Sequence, residues 1–231
     1  IILTYDEETV YDEETDTEKE YLVITGLFLS DSIKYEIGTK DFKPEDVEIG
    51  KDGKVEVPVY NKNEVQYENN ALKTEVIDIA ERKYAGIKIA SAAFINQLFI
   101  GSVNIHSSVV EIGISAFAGC TNLGTTAAGT RIVIPATVTE VGANAFLNCT
   151  GFTRVDWYPV KLTSGAAGNM ENPAFKGCTG ISEVRIYDTA EFIPSYLFYK
   201  AANPTAKKGI NVLSFKGESK GKTIGDYAFY Q

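Results

Sequence analysis

The chain has 231 residues, 44% of them apolar and 23% charged, with a net charge of −9. That is enough apolar material for a real core, in one elongated or two small units. No apolar run approaches the roughly 20 residues a membrane helix needs. The acidic balance argues against a nucleic-acid binder, whose footprint would be basic, and one histidine with three cysteines leaves little for a metal site or a triad.

The charge is concentrated at the start. Residues 1–20 hold nine acids against the single Lys19, leaving 22 acids and 21 bases for the rest. Tyr5-Asp-Glu-Glu-Thr9 recurs there as Tyr11-Asp-Glu-Glu-Thr15. Carboxylates are hard donors, so calcium is the functional alternative. The EF-hand pattern is missing, however, and the run reads as a solvated face or arm. The chain begins at Ile1 and reads as trimmed, so the lack of a signal peptide says nothing about secretion.

Tyr21–Ser30 reads as a buried strand with a glycine break. Val47–Ile49 and Val55–Val57 flank Asp52-Gly53, a hairpin signal, and Val59-Tyr60 with Val65–Tyr67 extend or follow that sheet. Residues 1–74 are therefore expected to form a small mostly-β domain or cap, immunoglobulin-like in outline, that covers one end of the unit formed by residues 75–231.

From residue 75 the chain repeats itself. Ile87-Lys-Ile-Ala-Ser-Ala-Ala-Phe94 matches Val110-Glu-Ile-Gly-Ile-Ser-Ala-Phe117, Thr139-Glu-Val-Gly-Ala-Asn-Ala-Phe146 and Lys222-Thr-Ile-Gly-Asp-Tyr-Ala-Phe229, with degenerate copies at Phe175 and Phe198. Between them lie apolar-polar-apolar stretches: Val103–Ile105, Ile132–Ile134, Val155–Trp157, Val184–Ile186 and Leu213–Phe215. These have the period of strands with one buried face. Ile77–Ile79 is expected as the first. The spacings reduce to a basic unit of 23 residues with insertions at 124–130, 161–172 and 201–209. The first and third should leave by one edge and the second by the other. Such a unit, with one strand, cannot bury its own apolar face and must stack. Gly113, Gly142 and Gly225 suit a turn needing special backbone angles.

Ile112-Gly-x-x-Ala-Phe-x-x-Cys-Thr-x-Leu123 and Ile134-Pro-x-x-Val-x-x-Val-Gly-x-x-Ala-Phe-x-x-Cys149 resemble the BspA-type leucine-rich repeat. The resemblance implies an α/β-type repeat solenoid over residues 75–231, with short parallel strands joined by turns or short helices. It also implies a secreted or surface-attached protein acting in adhesion, with no catalytic residues to carry over.

Cys120, Cys149 and Cys178, each three residues after a repeat phenylalanine, read as a free, buried ladder rather than as a disulfide or zinc site. His106 beside Ser107 and Ser108 invites a hydrolase reading. No Gly-x-Ser-x-Gly elbow exists and no acid is placed to orient the ring, so a surface histidine is expected and no enzyme. Side chains alternate along a strand, which turns a column outward. Its candidate binding residues are Asn104, His106, Arg131, Arg154, Asp156, Tyr158, Arg185 and Tyr187. Register should set Arg154 against Glu183, Asp156 against Arg185 and Tyr158 beside Tyr187. The expected function is a cofactor-free, non-enzymatic surface or secreted module binding a protein or glycan through the solenoid's sheet face or its loops, with no nucleic acid and no membrane insertion. A structural stalk that spaces another domain is the alternative.

Overall fold

The computed structural model describes residues 2–28, 43–61, 64–68, 71–126, 130–162, 167–201, 209–217 and 222–230. The first element is an antiparallel hairpin of β1 (Ile2–Asp12) and β2 (Thr17–Phe28). Its outer half, carrying most of the acids, is exposed, whereas Leu22 and Ile24 of β2 are fully buried. The ladder shifts register between Thr4 and Tyr5, beside Gly26. The glycine break is thus a bulge within a continuous strand.

β3 (Glu45–Ile49) and β4 (Lys54–Pro58) follow, then short β5 (Tyr60–Asn61), β6 (Glu64–Val65), β7 (Tyr67–Glu68) and β8 (Ala71–Leu72), and β9 (Thr74–Asp78). The expected Asp52-Gly53 hairpin does not form. A 3-10 turn at Lys51–Gly53 sends β4 to pair antiparallel with β9, while β3 pairs in parallel with β11 (Ile100–Ile105). Gly50 and Gly53 at φ 76° and 71° supply the left-handed backbone for this change of direction. The Ile77–Ile79 stretch is likewise not the first repeat strand, because β9 runs antiparallel to β4. A local apolar pattern cannot say which distant strand it will pair with.

The repeat strands are β10 (Gly86–Ile89), β11, β12 (Val109–Ile112), β13 (Arg131–Ile134), β14 (Glu140–Val141), β15 (Arg154–Trp157), β16 (Glu183–Ile186), β17 (Phe192–Ile193), β18 (Val212–Phe215) and β19 (Thr223–Ile224). They form two parallel columns. One comprises β2-β10-β12-β14, edged by the antiparallel β1, and the separate β17–β19 pair; the other comprises β3–β11 and β13-β15-β16-β18. Most units thus contribute two strands where one was expected, whereas the unit of Phe175 has only β16 among the described residues. β2 and β3 each lend the first parallel partner to one column, at β10 and β11 respectively.

Between the columns the chain bends through turns. Among the described residues from 86 onward there is no helix, so the short helices allowed by the repeat pattern are absent. The turn conformation also corrects the role of the glycines. Left-handed φ falls two residues later, on Ser115 (54°) and Asn144 (56°). Gly113 and Gly142 are needed for close approach instead. A Cβ there would lie 2.5 Å from Ser91 N and 2.4 Å from Ile114 N, inside the backbone of the preceding repeat.

Repeat phenylalanines stack down the centre. Phe94, Phe117, Phe146, Phe175, Phe198 and Phe229 lie ring over ring at 4.9–5.3 Å, a spacing set by the backbone ladders. Cys120, Cys149 and Cys178 are buried and free. Each thiol donates to the carbonyl of Phe94, Phe117 and Phe146 in turn, at 2.9–3.0 Å. Burial pushes Cys120 up to about 12 and Cys149 well above the ordinary thiol value. The insertions centre on residues 127–129, 163–166 and 202–208. The edges they were expected to leave by therefore fall outside the described residues.

Candidate functional site

Register along the second column is as the alternation requires. Arg131, Arg154, Glu183 and Val212 align, as do Val133, Asp156, Arg185 and Ser214. Val155, Trp157, Val184 and Ile186 are fully buried on the inner side. The outer side therefore carries the predicted residues, with Asn104 and Arg131 exposed and His106, Arg154, Tyr158, Arg185 and Tyr187 half-buried. Asp156 is the exception. It points outward yet is only 1% exposed, because neighbouring side chains close over it.

The ion pairs differ from the cross-strand pairs expected. Arg185 Nε contacts Glu183 Oε1 at 2.6 Å, two residues back on its own strand. Arg154 Nε lies 3.1 Å from Asp156 Oδ1, again within one strand, without the alignment of a hydrogen bond. Arg131 Nη1 reaches the same carboxylate diagonally, at 3.7 Å. Residues i and i+2 share a sheet face, and a long guanidinium reaches along the strand as readily as across it. Chiefly through its bond from Arg185, the Glu183 carboxyl is held below its ordinary range. Tyr158 and Tyr187 do meet as expected, with ring centroids 3.9 Å apart. Partial burial, then the hydrogen bond with Tyr187, pushes the Tyr158 phenol up to about 12.

At the N-terminal end of the column the structure adds residues that the pattern did not offer. Glu48 of β3 contacts His106 Nε2 at 2.5 Å and accepts from Asn104 at 2.8 Å. An acid does orient the ring, contrary to expectation, because β3 pairs with β11 and brings in Glu48 from 58 positions upstream of His106. Partial burial works against the Glu48 charge, but these bonds prevail and hold its carboxyl below the ordinary range. Ser108 donates to the Gly50 carbonyl, so this serine is turned to the backbone. Ser102, also on the outward register, is buried against Asp46.

Between His106 and Tyr158 lies a shallow groove of about 350 Å³ that also takes in Arg131, Val133, Pro135 and Asp156. The sequence could have signalled it. Following each strand at the same register are His106, Pro135, Tyr158 and Tyr187, with one compact residue among rings. Among the described residues no group of three or more His, Cys, Asp or Glu could hold a metal ion. Among the described residues no helix is long and apolar enough to cross a membrane.

Residues 87–231 match the BspA type leucine rich repeat region in six copies. The chain belongs to this family of repeat proteins, whose members are generally non-enzymatic interaction modules. A leucine-rich repeat protein from Bacteroides ovatus ATCC 8483 is similar at 19% identity with a TM-score of 0.38. The match covers 96% of this chain and 55% of that one, so the chain spans about half its length. No curated protein matches.

Proposed function

We propose that this chain is a cell-surface or secreted binding module without catalytic activity, built as a β-rich cap that carries β1–β9 on a repeat solenoid that starts at β10. The outward column of the second sheet is its docking face for a protein or glycan. The observation that carries this reading is the half-buried strip at Arg154, Tyr158, Arg185 and Tyr187. Its guanidinium groups are held by Glu183 and Asp156 and its phenol rings are fixed against each other. Side chains already ordered lose little entropy on binding, and tyrosine and arginine are favoured contact residues.

The test is binding of the purified chain to arrayed extracellular proteins and glycans, alongside a Tyr158→Ala, Tyr187→Ala double variant. Loss of about 1–2 kcal/mol per truncated ring is expected at a hot spot, with the fold intact because neither ring enters the core. A partner bound equally well by the double variant would move the site away from this column. Failure to bind any partner would favour a structural spacer.

A further inference from the structure

The second column is not continuous. β13, β15, β16 and β18 form one ladder, β3 and β11 another, and among the described residues no ladder joins β11 to β13. The groove lies over this interruption, lined from both sides by residues of β11 and β13 and those that follow them. His106 and Tyr158 occupy equivalent positions two strands apart, at least roughly 10 Å by strand spacing, with Pro135 low between them. Two ring-bearing residues that line one groove with a compact residue between them leave a slot with room for one further ring.

The slot's chemistry is mixed in a specific way. Its floor is apolar, formed by Val133, Pro135 and Ala136. The groove also carries the Arg131 guanidinium, 53% exposed and loosely paired at 3.7 Å, with Ser107 and the Tyr158 ring. Asp156 lines the slot from beneath, 1% exposed, and its Oδ1 accepts no aligned hydrogen bond. Arg131 pairs with the other oxygen, so a shift of Arg131 toward a ligand frees one side of Oδ2, which keeps its bond from Arg154 Nη2 at 3.4 Å. A flat peptide surface needs larger apolar anchors than this floor offers, and a metal needs more carboxylates. A pyranose presents C–H faces to rings and apolar floor, and adjacent hydroxyls to an arginine–carboxylate pair.

We propose that the groove between His106 and Tyr158 is a saccharide subsite that takes one sugar unit of a glycan, its vicinal hydroxyls shared by Arg131 and Asp156. The subsite rests on the reading of the outward column as the docking face and narrows its partner to a glycan. Tyr187 backs Tyr158 and holds its ring in place.

The experiment titrates the purified chain by calorimetry with a mannan, a galactan, a polygalacturonate and a chondroitin sulfate. Each has a periodate-oxidised control in which vicinal diols are cleaved. At least one should bind saturably, its oxidised form should not, and His106→Ala and Arg131→Ala should each weaken binding about tenfold. Arg82→Ala, an exposed residue outside both the slot and the outward column, should leave it unchanged. Circular dichroism confirms the fold of each variant. If no glycan binds, or binding survives both substitutions, the subsite is wrong. If the arrays then yield a protein partner that the Tyr158→Ala, Tyr187→Ala variant loses, the docking face stands without the sugar. If they yield none, both fall.

Discussion

At the N-terminal end of the repeats, Ile87, Ile89 and Val103 meet β2 and β3, and all three are nearly inaccessible. At the other end, β18 and β19 carry the same apolar pattern, and among the described residues no further strand pairs with them. Leu213, Phe215 and Ile224 are 39%, 38% and 46% exposed, whereas their counterparts one unit earlier, Val184, Ile186 and Ile193, are at most 1% exposed. Residue type does not explain the contrast. What differs is the neighbour, since each unit is completed by the next one along the chain. Stability in such a stack is close to a sum of unit and nearest-neighbour contributions.

The largest expected effect lies at the closed end. Ile24→Ala, in a fully buried site, should cost about 2–5 kcal/mol in urea denaturation. Leu213→Ala at the open end should cost about 1 kcal/mol or less, since much of its surface already meets water. Equal costs would erase the contrast. Next is a backbone test with one chemistry at two places. An added Cβ meets Ile114 N at 2.4 Å in Gly142→Ala and Ser195 N at 2.4 Å in Gly225→Ala. The interior change should cost about 1–3 kcal/mol. The terminal one should cost less, because its unit can move away.

Thiol labelling sharpens the same point by rate. Burial keeps Cys120 protonated up to about 12, so all three cysteines should resist a thiol reagent at neutral pH in the native state. Labelling should then track local opening, fastest at Cys178, which lies nearest the open end. Labelling at one common rate would mean that the stack opens only as a whole. The smallest effect belongs to the acidic arm. The bond from Lys19 brings the Asp12 carboxyl down to about 2. With the folded value below the unfolded one, this contribution is present above about pH 4 and fades as pH falls through 2. An NMR titration of Asp12 should show the low midpoint, and Lys19→Met should return it to the ordinary range.

The parts legible in the sequence are those that recur. The Ala-Phe motif located the ring ladder, and the Val155–Trp157 and Val184–Ile186 stretches located strands whose register brought Tyr158 to Tyr187. What escaped was set by partners far along the chain. β3 joins β11 across some 55 residues, which is why Glu48 beneath His106 could not be foreseen. The two-residue strands at Glu140–Val141 and Phe192–Ile193 are too short to show a period. The burial of Asp156 needed the side chains of two strands, and the role of Gly142 needed the backbone of another repeat.

The lending of β2 and β3 to the two columns also gives the molecule a direction in time. A ribosome releases the covered end first, so every later unit meets an edge with its hydrogen-bonding groups already aligned. The nascent protein can then grow by accretion, showing only one layer of greasy surface at any moment, however many units are added. A finishing strand pair placed at the far end instead would leave the whole length waiting for its last residues.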